Sequence, residues 1–133
     1  MSRLRTTSQA ETNGVLVEVQ SEYLEEQSNP ATRRFVFGYT ITITNTGSEV
    51  VQLRSRHWII TDGLGEVEEV KGPGVVGEEP VLRSGERFRY SSGAVLTTER
   101  GTMKGTYQMH YPGGGQFDAT VGEFLLERPY SLN

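Results

Sequence analysis

From Phe35 to Ile43 the side chains alternate in character. Phe35, Phe37, Tyr39, Ile41 and Ile43 fall on one side, and Val36, Gly38, Thr40 and Thr42 on the other. A β-strand turns successive side chains to opposite faces, so this run predicts a long strand with one buried face. The same period recurs along the chain. Val15, Val17 and Val19 alternate with Leu16, Glu18 and Gln20, and Phe88 and Tyr90 with Arg87 and Arg89. Met103, Gly105, Tyr107, Met109 and Tyr111 alternate with Lys104, Thr106, Gln108 and His110. Phe117, Ala119 and Val121 alternate with Asp118 and Thr120. No window carries a convincing helical stripe, and sixteen glycines scattered among short runs disfavour helix.

Turn signals separate the runs: Ser28-Asn29-Pro30, Asn45-Thr46-Gly47, Asp62-Gly63, Arg83-Ser84-Gly85 and Pro112-Gly113-Gly114-Gly115. Seven or eight strands with nothing helical between them predict an all-β antiparallel sandwich, with a small barrel as the alternative. A chain of 133 residues fits one domain, large enough to hold a core without staples. Residues 1–12 read as a flexible N-terminal end, 13–128 as the single domain and 129–133 as a C-terminal tail. Between Val50 and Asp62 the alternation breaks. Val51 and Leu53 set one face, then Arg54, Arg56 and Trp58 the other, and Trp58-Ile59-Ile60 is apolar without interruption. Either a bulge shifts the register here or the end of the strand is covered on both sides.

Composition narrows the function. With no cysteine, disulfide scaffolds, thiolate metal sites and cysteine nucleophiles are excluded. No apolar run is long enough for a membrane span and no signal peptide is evident, so a cytoplasmic protein without membrane insertion is expected. The net charge of −4 argues against a nucleic-acid partner. Eleven of the thirteen basic residues are Arg, the better partner for carboxylates, phosphates and aromatic faces, although codon bias gives the same count.

An ordered set of motifs then becomes recognisable. It comprises Phe37-Gly-Tyr-Thr-Ile-Thr-Ile-Thr-Asn, Leu53-Arg-Ser-Arg-His-Trp-Ile-Ile-Thr-Asp-Gly and Val70-Lys-Gly-Pro-Gly-Val-Val-Gly-Glu-Glu-Pro, followed by Tyr90-Ser-Ser-Gly and Gly101-Thr-Met-Lys-Gly-Thr-Tyr-Gln-Met. From about Val15 to about Leu126 the chain resembles the bacterial ApaG family. The resemblance implies an immunoglobulin-like, fibronectin type III-like sandwich. It also implies a link to cobalt and magnesium resistance or efflux, and a kinship with a domain of some eukaryotic F-box proteins thought to serve in protein recognition. It brings no catalytic residue set.

Gly72, Gly74 and Gly77 make a G-x-G-x-x-G pattern, which in a dinucleotide fold opens a helix that holds pyrophosphate. The context differs here. Pro80 follows closely, no βαβ unit surrounds the motif, and Asp62, Glu66, Glu68, Glu69, Glu78 and Glu79 stand against Lys71 alone. The first reading is a sharp connection between strands; a backbone anion nest and a protein-contact loop are the alternatives. For a metal, His57 and His110 are on different strands, and only folding could bring them to a carboxylate such as Asp118. The acidic set reads as a solvated face. Ser91, Ser92 and His110 match no nucleophile motif, and no enzyme signature is present.

The strongest binding candidate is Arg54, Arg56, His57 and Trp58, joined by Tyr90, because Arg and Trp are frequent interface anchors. The competing reading puts Trp58 in the core and pairs the arginines with glutamates of a neighbouring strand. The sequence thus predicts a non-enzymatic binding module without cofactor or metal, with a protein partner and a route to a homodimer through an edge strand. The alternative is a nucleotide or divalent-cation sensor using the Gly72–Gly77 loop. An enzyme acting on nucleotides is the remote third reading.

Overall fold

A computed structural model describes residues 5–129; residues 1–4 and 130–133, where the outer ends of the two expected tails fall, lie outside the described residues. The elements are β1 (Arg5–Thr12), β2 (Val15–Tyr23), β3 (Phe35–Asn45), β4 (Val51–Asp62), β5 (Val67–Pro73), β6 (Val81–Leu82), β7 (Arg87–Leu96), β8 (Arg100–His110) and β9 (Gln116–Glu127). Two single turns of 3-10 helix, Glu25–Gln27 and Pro30–Thr32, interrupt the path from β2 to β3. Every ladder is antiparallel. One sheet runs β1-β2-β3-β7; the other runs β5-β4-β8-β9, with β6 also pairing β4. The fold is therefore the expected sandwich rather than a barrel. Leaving out β1 and β6, the order β2-β3-β7 against β5-β4-β8-β9 is that of a fibronectin type III-like domain.

The alternating runs meet across the sandwich, and register shifts in the β4–β8 and β8–β9 ladders bring Trp58, Phe124 and Leu126 inside as well. Val15, Val17, Val19, Phe37, Tyr39, Ile41 and Ile43 line the inner face of the first sheet. Leu53, Trp58, Met103, Tyr107, Met109, Ala119, Val121, Phe124 and Leu126 line the second. Trp58 stands edge-on to Tyr39, Tyr107 and Phe124, with centroids 5.8, 6.0 and 6.1 Å away. Gly105 makes room for it, since a Cβ there would lie 2.1 Å from the His57 carbonyl and 3.0 Å from the indole. Asn45 is a buried polar exception with full employment. Its Nδ2 donates to Glu49 O and Leu82 O, and its Oδ1 accepts from Gly47 N, which ties the corner after β3 to β6.

Two corrections concern the ends and the strand count. Among the described residues nine strands form where seven or eight are expected, β6 being only two residues long. The segment expected to be flexible up to residue 12 is a strand from Arg5, paired with β2 on every rung from Arg5↔Glu22 to Thr12↔Val15. Its turn, Asn13-Gly14, has φ of 46° and 79°, the two positive values a two-residue hairpin demands. Its inner face carries the hydroxyls of Thr6, Ser8 and Thr12, with Ala10 as its one apolar side chain. Ser8 Oγ donates to Gly122 O at 2.8 Å and Thr6 Oγ1 to Leu125 O at 2.6 Å, and Thr120 N donates to Thr12 Oγ1 at 3.1 Å. From β2, Ser21 Oγ also reaches Leu125 O, at 2.7 Å. These bonds close the side of the sandwich where β1 faces β9.

Candidate functional site

The irregularity in β4 is a bulge. On the ladder to β8, Leu53 pairs Met109 and Ser55 pairs Gln108, so Arg54 is the extra residue. The inner face passes from Val51 and Leu53 to Arg56, Trp58 and Ile60. As a result the candidate set Arg54, Arg56, His57, Trp58 and Tyr90 does not form one surface. Trp58 is 3% exposed and Tyr90 8%, both in the core. Arg54 leaves at the bulge and its Nε meets Glu79 Oε1 at 2.7 Å. His57 points outward, its Nε2 2.7 Å from Glu69 Oε1. Those two pairings are with glutamates of the adjacent strand and loop.

Arg56 has a different task. Its Nη1 donates to Pro73 O at 2.8 Å and Gly74 O at 2.9 Å. The guanidinium lies across Gly72, where a Cβ would sit 3.0 Å from both Nη1 and Nη2. The glycine motif is thus held by an arginine from the neighbouring strand. Beyond it, Val75 and Glu78 exchange backbone bonds of 2.8 and 2.9 Å around Val76 and Gly77, whose φ values are 44° and 80°. This is a tight two-residue hairpin, and no helix starts there. Gly74 is required by contact, because a Cβ would fall 2.3 Å from Glu78 O. The amides of Gly74, Val75 and Glu78 all donate within the protein, to Arg54 O, Glu78 O and Val75 O.

Behind Arg56 lies a group of phenols. Tyr90 and Tyr107 share a buried hydroxyl–hydroxyl bond of 2.5 Å. Burial pushes both phenols above their ordinary value, that of Tyr107 well above it, and burial raises Tyr39 too. The nearby Arg56 charge opposes the rise at all three. The two histidines stay apart. His57 is opposite Thr106, and His110 is opposite Gln52 near the other end of the same ladder.

The sequence predicts an edge strand, but not which strand forms it. On the second sheet, β5 is guarded by Glu68, Glu69, Lys71 and Pro73. The edges of β1 and β9 cover one another through the hydroxyl bonds. β7 is ten residues long and, among the described residues, pairs only with β3. Asn45 N donates to Glu86 O, and the register continues from Thr44↔Arg87. Antiparallel rungs alternate in bonding, so Arg87, Arg89, Ser91, Gly93 and Val95 turn their own N–H and C=O away from β3. The same five residues are exposed, on the outer face. Among the described residues, Arg87 and Arg89 have no side-chain ion pair, whereas Arg5, Arg54, Arg100 and Arg128 each pair with a glutamate.

Beside this edge the outer face of the first sheet is dented. Gly38 and Gly93 are opposite each other, so one rung lacks side chains. Leu24 fills part of the gap, with Cδ1 3.2 Å from where a Gly38 Cβ would be. The remainder is a cleft of about 350 Å³ lined by Arg5, Gln20, Thr40, Arg89 and Ser91 among others. Its walls are polar, with Thr40 Oγ1 and Ser91 Oγ 2.8 Å apart.

A family model described as the ApaG domain matches residues 25–111. Protein ApaG of Azoarcus sp. (strain BH72) is 53% identical over 126 residues, which is 95% of this chain and 99% of that protein. Protein ApaG of Brucella anthropi is 54% identical over 120 residues, or 90% and 92% of the two chains. A crystal structure of a Bordetella pertussis protein superposes with a TM-score of 0.85 at 50% identity, covering 88% of this chain and 95% of its own.

Proposed function

Since the chain belongs to the ApaG family, we propose that it is a non-enzymatic protein-interaction module of the cytosol that receives an extended partner segment along β7. The observation that carries this is the edge itself: five alternate residues turn backbone groups outward that have no strand partner among the described residues, with no proline and no bulge within β7 to blunt them. Strand addition obtains affinity from main-chain bonds and specificity from alternate side chains. The adjoining cleft supplies a place for one such side chain. On this reading the family's association with cobalt and magnesium acts through the partner.

The test uses the full chain as bait in native cytosol. Ser91→Pro removes an N–H that faces outward, so the ladder to β3 stays intact while an added strand loses a bond. Ser91→Ala controls for the lost hydroxyl. A partner captured in stoichiometric amount by the parent and by Ser91→Ala, but not by Ser91→Pro, supports the module. Equal capture by all three removes β7 from the account.

A small-ligand reading has one observation in its favour: the cleft volume lies within the range of small-molecule sites. A saturable rise in melting temperature with ATP, Co²⁺ or Mg²⁺, lost on Arg89→Ala, would favour it over the protein partner.

A further inference from the structure

Resting on strand addition at β7, we infer that the segment received is acidic, with carboxylates at the positions opposite Arg87 and Arg89. The argument is one of register and charge. In an added antiparallel strand, a residue directly opposite Arg87 or Arg89 turns its side chain to the same outer face, within cross-strand reach. Both guanidinium groups are exposed and have no ion pair among the described residues, on a chain whose net charge is −4. The strand between them and Val95 reads Tyr90-Ser-Ser-Gly-Ala, with no acidic side chain to satisfy them from their own edge. On the next strand Thr42 and Thr44 face them across the ladder. The nearest carboxylate in those rows is Glu18 on β2, opposite Thr42 and one strand further in. Glu22 lines the same cleft as Arg89 but is engaged by Arg5, so a carboxylate arriving from outside meets two guanidinium groups that have no ion pair among the described residues.

A basic segment is disfavoured by the same arithmetic, because like charges directly opposite are repulsive. A second copy fits less well than an acidic partner. Its own β7 would bring two more arginines and no carboxylate, so neither pair of guanidinium groups would be answered.

The experiment uses two blocked decapeptides, acetyl-(Glu-Thr)₅-amide and acetyl-(Lys-Thr)₅-amide, titrated into the ¹⁵N-labelled full chain at low salt. The acidic peptide is expected to shift residues 87–95 saturably and to slow amide exchange at Arg87, Arg89, Ser91 and Gly93. Its affinity should fall at least tenfold in Arg87→Glu/Arg89→Glu, which should gain binding of the lysine peptide. It should also weaken as salt rises.

The inference is overturned by no binding of the acidic peptide, by binding away from β7, or by a charge swap that leaves the preference unchanged. If both peptides bind β7 equally and Ser91→Pro abolishes both, strand addition stands and the acidic partner falls. If the acidic peptide depends on both arginines but tolerates Ser91→Pro, the charge argument stands and strand addition falls. A dimer seen by sedimentation velocity and dissociated by Ser91→Pro would make a second copy the occupant, against the inference.

Discussion

The hydroxyl pair between Tyr90 and Tyr107 offers a sharp test of how this core is held. Tyr107 is fully buried and Tyr90 nearly so, and their oxygens are 2.5 Å apart. Tyr90→Phe keeps the ring and strands the Tyr107 hydroxyl in the core. A buried polar group left without its partner costs about 1–3 kcal/mol. Tyr107→Phe strands the more accessible Tyr90 hydroxyl and should cost about 1 kcal/mol. Removing both leaves no orphan, so the double variant should be clearly less destabilised than the sum of the singles, with a coupling of about 1–2 kcal/mol. Urea unfolding of the four proteins measures this. A pH series adds an independent arm. Burial raises both phenols above their ordinary value of 10.0. Below pH 10 both states keep the proton and the contribution is intact; above it the unfolded chain ionises while the fold holds its protons. Stability must therefore fall as pH rises beyond about 10, and less steeply in the double variant. Strict additivity, or an alkaline slope identical in parent and double variant, would refute the picture of a coupled buried pair.

Other outcomes follow from single contacts. Trp58→Ala should lose about 3–5 kcal/mol in urea unfolding, as expected for a large core ring; a loss under about 1 kcal/mol would mean that the ring is not core. Gly74→Ala should destabilise much more than Gly77→Ala, because both have positive φ but only Gly74 has a carbonyl 2.3 Å from the new Cβ. Equal melting temperatures would contradict the hairpin geometry. Val76, a β-branched residue held at φ 44°, is in a conformation that costs about 1–3 kcal/mol. Val76→Asn creates the favoured Asn-Gly turn and should raise stability by about 1 kcal/mol; a fall would show that the valine side chain is anchored by something else.

Much of the sandwich is legible in the alternation alone. The run Phe35–Ile43 is the centre of β3, and its odd residues are core. The broken alternation after Val50 does mark a bulge. What alternation could not show is β1, because its hold on the fold comes from backbone rungs and from the hydroxyls of Thr6, Ser8 and Thr12 rather than from apolar burial. One local signal for it was present in Asn13-Gly14. The candidate cluster on β4 dispersed for a reason of parity. One extra residue at Arg54 moves the residues that follow to the opposite face from the one regular spacing assigns. Arg56 thereby turns toward the glycine loop and Trp58 into the core.

Residue types and their period of two determined two greasy faces, the turns between them and a backbone that must bend at Gly74 and Gly77. Which strand would lie at a margin was decided only by the assembled sheets. An edge is a relation between strands far apart in the chain: among the described residues β7 finds a ladder partner in β3 alone, while hydroxyls from β1 and β2 cover β9. The same relation leaves Arg87 and Arg89 facing outward, since pairing with β3 alone places no carboxylate beside them.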